Sequence, residues 1–290
     1  MSKSASLIRV LIAYVACFAV AGAWLAWGPS TDKLWLDTLI ADLIATAVIF
    51  AFSRAYKNSS FYDAYWSVVP PAMFVYWWLE TDAEGARPWL ALLVIMAWAI
   101  RLTGNWIFNW PGMQHEDWRY PMVKQNAGKN EAAADLMGIH VFPTLIVFLG
   151  MVPTYVVVTN TGRDVSWLDI VAVVVGLGAV ALEFFADLQL HRFVQERTPG
   201  QVMDRGLWSW SRHPNYLGEV TFWLSLALFG LAASPGDWWW IFAGAIAMLL
   251  MFLLASIPMM ERRSLERRPD YQDVIDRVSM FLPRPPKAKR

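Results

Sequence analysis

The chain has 290 residues, of which 57% are hydrophobic, 15% aromatic and only 17% charged, against about 25% charged in an ordinary soluble domain. That balance rules out an ordinary soluble domain and predicts a polytopic membrane protein, because runs approaching the roughly 20 residues needed to cross the hydrocarbon core fill most of the sequence. The formal charge is zero, and a single cysteine, Cys17, excludes an intrachain disulfide and a thiolate metal cluster.

In chain order, hydrophobic runs fall at about Leu7–Trp27, Leu34–Phe52, Tyr65–Leu79, Trp89–Phe108, Ile139–Val158, Trp167–Leu190, Tyr216–Ala233 and Trp238–Ile257. They predict eight spans. The count falls to seven if the short third run, which starts near Asp63, or the second, which carries Asp37 and Asp42, does not cross. The first run is followed by Trp24, Trp27 and Gly28-Pro29 with no small-residue cleavage site, so it is expected to stay as a helix. No repeat and no Gly/Ser linker divides the chain. The expected architecture is all-α, a polytopic transmembrane bundle of seven to eight spans in one domain over residues 1–290.

With the amino terminus in the cytoplasm, Lys3, Arg9, Arg54, Lys57, Arg119, Lys124, Lys129, Arg192, Arg197, Arg205, Arg212 and the basic tail share one side. Lys33, Arg87 and Arg163 remain on the other, which satisfies the positive-inside rule. The long polar loops, Trp110–Gly138 and His191–Asn215, then open to the cytoplasm. A bacterial inner membrane with a cytoplasm-facing cofactor cavity is the expected setting. Membrane lipids are expected partners, and neither nucleic acid nor an obligate protein partner is. The tail from Glu261 predicts a short helix and ends in Pro283-Arg284-Pro285-Pro286, which cannot be helical; a solvated basic tail attracted to anionic lipid is the competing reading.

Polar chemistry concentrates in Ser211–Glu219, SRHPNYLGE, directly ahead of an uncharged apolar run. Pro214 suits the first turn of a helix, whose free amide hydrogens would join Arg212 and His213 as a site for phosphate or carboxylate. Asn215 and Glu219 are four apart and share a face, and Gly218 between them allows close approach to the backbone. Glu183, Asp187 and His191 form a similar stripe in the sixth run. Such a stripe is open to three readings. It could hold a metal, although it lacks a second clear histidine ligand; it could bind a cofactor; or Asp187 could pair with a bundle arginine such as Arg101. In Tyr62-Asp63-Ala64-Tyr65, a carboxylic acid kept protonated by an apolar site, or a tyrosine, could polarise a carbonyl; Asp63 could instead cap the following helix. The loop His115–Tyr120 could close over the pocket or line the membrane surface. No P-loop or Gly-x-Gly-x-x-Gly fingerprint occurs, so any nucleotide needs a non-Rossmann pocket.

Glu183 to Asp187, SRHPNYLGE and the tail from Glu261-Arg262-Arg263 to Asp270-Tyr271 together resemble the membrane steroid 5α-reductase and sterol reductase family, in particular its bacterial members. The similarity is weak over the first sixty residues, which are read as extra amino-terminal spans, and residues 180–290 as the cofactor-binding part. The resemblance implies a helical reductase that uses NADPH to reduce a carbon-carbon double bond of a sterol-like lipid. It implies cofactor contacts by Asp187, Asn215, Glu219, Arg262 and Tyr271, with His213 and Arg263 less closely matched; His191, Arg192, Arg212 and Tyr216 complete the expected cofactor set. No metal is expected. Asp63 stands for the family's carbonyl-binding glutamate and Arg101 for its arginine, but Trp98 occupies the place of the family's tyrosine, so Tyr62, Tyr65 or an indole hydrogen would have to replace it. The expected reaction is reduction of a 3-oxo-4-ene steroid or similar lipid enone, with Asp63, Tyr62, Tyr65 and Arg101 as the catalytic set. Two other readings stay open. One is an S-adenosylmethionine-dependent methyltransferase of the isoprenylcysteine carboxyl type, which shares the Arg-His-Pro helix start. The other is a non-catalytic lipid-binding or transporter-like bundle.

Overall fold

Long apolar runs cannot leave backbone amides unpaired in lipid, so they close their hydrogen bonds internally as helices. The computed structural model describes residues 2–288. Its helices are α1 (Lys3–Trp27), α2 (Leu34–Tyr56), α3 (Tyr65–Thr81), α4 (Arg87–Asn109), α5 (Arg119–Ala127), α6 (Glu131–Ala134), α7 (Phe142–Thr159), α8 (Trp167–Glu196), α9 (Pro214–Ala233), α10 (Ala243–Met251), α11 (Ile257–Arg267) and α12 (Tyr271–Arg277). π-helical turns at Asp135–Val141 and Phe252–Ser256 carry α6 into α7 and α10 into α11. Among the described residues, seven helices are long and apolar enough to cross a membrane: Lys3–Trp27, Leu34–Tyr56, Arg87–Asn109, Arg119–Thr159, Trp167–Glu196, Pro214–Ala233 and Ala243–Arg267.

The third predicted run is the one that falls short. It forms α3, of 17 residues with Pro70 and Pro71 inside it, about 26 Å at 1.5 Å per residue, below the roughly 30 Å hydrocarbon core. Trp77 anchors it to α2 through a bond from Nε1 to Thr38 Oγ1, and Ser67 bonds Thr103 of α4. The predicted tail helix is two helices, α11 and α12, broken at Arg268-Pro269-Asp270. Lys289 and Arg290 of the basic tail lie outside the described residues.

Apolar side chains face outward along the bundle, with Val174 65% and Leu254 75% exposed, which suits lipid rather than water. The interior is built around α9, where Phe222, Trp223, Leu226 and Phe229 are fully buried. Small residues let α9 sit that deep. A Cβ at Gly218 would collide with Glu183 Cγ and meet Ala179 O at 3.0 Å, so α8 and α9 touch backbone to side chain at this level. At the far end of the bundle, Arg87 binds the Asp169 carboxylate at 2.7 and 3.2 Å and the carbonyls of Arg163 and Asp164, which fixes the starts of α4 and α8 beside each other. α4 is thereby held along α8 with its polar residues facing α8 and α9.

Candidate functional site

α4 carries Trp98, Arg101 and Asn105 on one face, and all three reach carboxylates of α8 and α9. Arg101 pairs with Glu183 through Nη2 and with Asp187 through Nη1 at 2.9 Å, while Glu219 lies 3.9 Å away. Asn105 donates to Asp187 at 3.1 Å. The indoles of Trp98 and Trp223 donate to the two oxygens of Glu219 at 3.0 and 2.9 Å, and the Trp98 ring stacks on Phe222 at 4.4 Å. Asn215 reaches Asp187 at 3.5 Å, a long contact for a hydrogen bond. Three acids thus share one guanidinium in a buried site, and two of its atoms, Glu183 Oε1 and Arg101 Nε, have no hydrogen-bond partner among the described residues. His191, the third member of the predicted stripe, turns instead to Gln195 at 2.7 Å and packs on Phe108.

One position further along α4, Trp106 reaches a second site. Its indole donates to Asp63 Oδ2 at 3.2 Å, and Tyr120 OH donates to Asp63 Oδ1 at 2.6 Å. Burial raises the Asp63 carboxyl from 3.8 to about 6, against the hydrogen bonds of Tyr120 and Trp106, which lower it. Asp63 does not cap α3, whose first turn has no side-chain cap. The loop before Tyr120 packs over this site. Asn58 Nδ2 donates to Met113 O and His115 O, Glu116 accepts from the Ser59 amide, and Trp118 lies under the Arg263 guanidinium at 3.9 Å. The carboxylate cluster and Asp63 are therefore both tied to α4, and the tail reaches the loop beside Asp63 through Arg263 and Trp118.

Residues 49–278, which hold all of these groups, match the family model described as Protein of unknown function (DUF1295). The chain belongs to the DUF1295 family. This family is homologous to membrane steroid and sterol reductase-like proteins. The chain is also 28% identical over 272 residues to the uncharacterized protein C594.04c of Schizosaccharomyces pombe, covering 85% of this chain and 78% of that one. No solved structure matches. The DUF1295 match begins within α2, so α1 precedes it.

Within this DUF1295 chain the start of α9 is a structural joint as well as a polar cluster. Arg212 donates from Nε and Nη2 to both oxygens of Glu261 at 2.6 and 3.3 Å, and from Nη1 to Ile275 O and Val278 O at 3.0 and 2.6 Å. Its guanidinium is largely taken up by holding the tail against α9. His213 bonds Glu261 at 3.0 Å and stacks on Tyr216, which stacks on Phe252. Tyr271 is buried in a small cluster with Val274 and Val278, and burial pushes its hydroxyl up to about 12. Arg262 is exposed and pairs with Glu266 within its own helix, and Arg192 is exposed.

Tyr62 and Tyr65 do not reach Asp63. Tyr62 OH bonds Thr144 Oγ1 at 2.8 Å, and Tyr65 OH donates to Asp42 Oδ1 at 2.7 Å. Arg101 likewise faces α8 and α9 rather than Asp63. Sequence reasoning missed Tyr120, Trp106 and Glu261 as site-building residues. Tyr120, in the first turn of α5, lies 57 positions from Asp63, so no local pattern marks it as the partner of that carboxyl; Glu261 stands in the tail motif beside the arginines that carry the cofactor reading.

Proposed function

We propose that this protein is an NADPH-dependent reductase of lipid enones, such as a 3-oxo-4-ene steroid, with its site open to the cytoplasm. The observation that supports it is the arrangement along α4: Arg101 and Asn105 face the Asp187, Asn215 and Glu219 group, and Trp106 faces Asp63. The donor set suits the cofactor. Asp187, Asn215 and Glu219 offer acceptors and an amide for ribose hydroxyls and a carboxamide, and the partnerless Glu183 Oε1 and Arg101 Nε leave hydrogen-bonding capacity in the buried cluster. Arg262, Arg263 and Arg192 supply cations for phosphates. Bound NADPH supplies the hydride that reduces the double bond. Asp63, in its protonated form, donates its hydrogen to the Tyr120 oxygen, so that the Tyr120 hydroxyl turns its own hydrogen to the substrate carbonyl and stabilises the negative charge that grows on its oxygen; the α-carbon of the resulting enolate then takes a proton from water. Tyr120 takes the role left open by Trp98, whose indole is committed to Glu219. Apolar surface around the site holds the lipid and keeps water out.

The engagement of Arg212 favours one further reading. A phosphate-free cofactor, S-adenosylmethionine, asks for fewer free cations, and the same cluster could hold its amino and carboxylate groups in a methyltransferase. Equilibrium binding of NADPH and of S-adenosylmethionine to the purified protein separates the two. NADPH binding that is weakened by Asn215→Ala or Glu219→Gln, with NADPH oxidation on adding testosterone-like enones, is the expected result. Binding of S-adenosylmethionine alone would overturn the reductase reading.

A further inference from the structure

A second constellation lies away from the α4 sites, where the last turns of α2 meet the π-helical turn Asp135–Val141. Ser53 Oγ is 3.1 Å from His140 Nε2. His140 Nδ1 is 3.0 Å from Asp135 O and 3.5 Å from Asp135 Oδ1. Both atoms facing Nδ1 are acceptors, so in the neutral ring Nδ1 carries the hydrogen and Nε2 keeps a free lone pair. The Ser53 hydroxyl then donates to Nε2, which is the tautomer a general base needs. The wide π turn produces this contact by setting the Asp135 carbonyl beside a ring five residues on, and such turns recur at functional sites. Asp135 is held in turn by Ser59 Oγ at 2.9 Å and Arg54 Nη1 at 3.3 Å. The imidazole is gripped edge-on by Phe50 and Tyr62.

This arrangement is not sealed in the core. Ser53, Arg54 and Asp135 line a cavity of about 580 Å³, together with Lys57, Lys124 and Glu131, a volume in the range of small-molecule sites. Ser53 is therefore a buried residue on the wall of a polar cavity, with its hydroxyl on a base, and the proposed reductase chemistry has no use for it.

We propose that Ser53 is a nucleophile activated by His140, and that the cavity takes a polar carboxylic ester. Ser53 Oγ bonds to the acyl carbon as its proton passes to His140 Nε2. The carbon–oxygen bond to the alcohol breaks, and the departing alkoxide takes that proton. Water then adds to the acyl-serine, again losing its proton to Nε2, and releases the acid while Ser53 regains its hydrogen. Arg54, paired with Glu131 and Asp135, and Lys124, paired with Glu116, line the same cavity and are the cations that would turn to the oxyanion of each tetrahedral intermediate. Asp135 acts as a positioning residue through its carbonyl.

The test uses the full chain in detergent micelles and a fluorophosphonate probe, with the modified residue found by peptide mass spectrometry. An adduct on Ser53 is expected, absent in Ser53→Ala and formed about 100-fold more slowly in His140→Gln. A wild-type protein that melts cooperatively yet gives no adduct on Ser53 would overturn the proposal, as would an unchanged labelling rate in His140→Gln. Should His140→Gln fail to fold, hydrolysis of p-nitrophenyl acetate by wild type and by Ser53→Ala decides: loss of the activity in Ser53→Ala supports the proposal, and equal rates refute it. Neither readout depends on NADPH, so failure here and failure of the reductase reading are distinguishable.

Discussion

Arg101 is the residue on which the buried cluster balances. It faces three carboxylates, of which Glu183 is 2% and Glu219 4% exposed, and no other cation pairs with them among the described residues. Removing one partner of a buried ion pair leaves an uncompensated charge and costs about 3–5 kcal/mol. Arg101→Gln should therefore lower the melting temperature of the detergent-solubilised protein by on the order of 10 °C. Glu183→Gln should behave differently, because it removes an excess anion from a site that holds three acids to one guanidinium; its melting temperature should stay near that of wild type. The double substitution should recover much of the loss, giving a coupling energy in the double-mutant cycle of about 1–3 kcal/mol. Intrinsic tryptophan fluorescence during a thermal ramp reads all four proteins. If Arg101→Gln melts with wild type, or if Glu183→Gln is damaged as badly as Arg101→Gln, the cluster is not held by charge pairing.

The Asp63 carboxyl gives a pH dependence of defined sign. Its folded value, about 6, lies above the ordinary 3.8, so the fold favours the protonated form; that stabilisation is complete below about pH 4 and disappears as pH rises through about 6. The swing is on the order of 3 kcal/mol, and Asp63→Asn should flatten the corresponding slope of melting temperature against pH. Reductase activity, if it uses the protonated acid, should rise as pH falls toward 6, and an activity indifferent to pH between 5 and 8 would remove Asp63 from the chemistry. Tyr120→Phe deletes the bond to Asp63 and should lower the turnover rate about 100-fold while leaving NADPH affinity within twofold of wild type, measured by fluorescence titration. Gly218→Ala drives a methyl group into Glu183 and the Ala179 carbonyl, so it should destabilise by about 1–3 kcal/mol and weaken cofactor binding; a variant with unaltered melting and binding would show that α8 and α9 can part without consequence.

Much of the architecture was legible in the chain itself, because hydrocarbon thickness imposes a length on each apolar run and lipid forbids unpaired backbone. Pro214 starts α9 as expected, and spacing by four put Asn215 and Glu219 on one face of α9 and Glu183 and Asp187 on one face of α8, since helical periodicity is local. The family resemblance also rested on contiguous motifs. The shortness of α3 was legible too: the third run starts at Tyr65 in the sequence as in the fold, and its length falls below that needed to cross the hydrocarbon core. What periodicity could not supply was the pairing between elements. The sequence offered Arg101 either to Asp187 or to the carbonyl site of Asp63, and Arg212 to a phosphate; packing sends the first to Asp187 and its neighbours on α8 and α9, and the second to Glu261 and the tail carbonyls. Tyr62 and Tyr65 flank Asp63 in the chain yet turn to Thr144 and Asp42, while Tyr120, 57 residues away, reaches the carboxyl. Chain sequence alone determined that this protein is a helical membrane bundle with a polar cluster at the start of α9. Tertiary structure decided which side chains complete that cluster, because a buried charge takes whichever partner the helix packing brings within hydrogen-bonding distance.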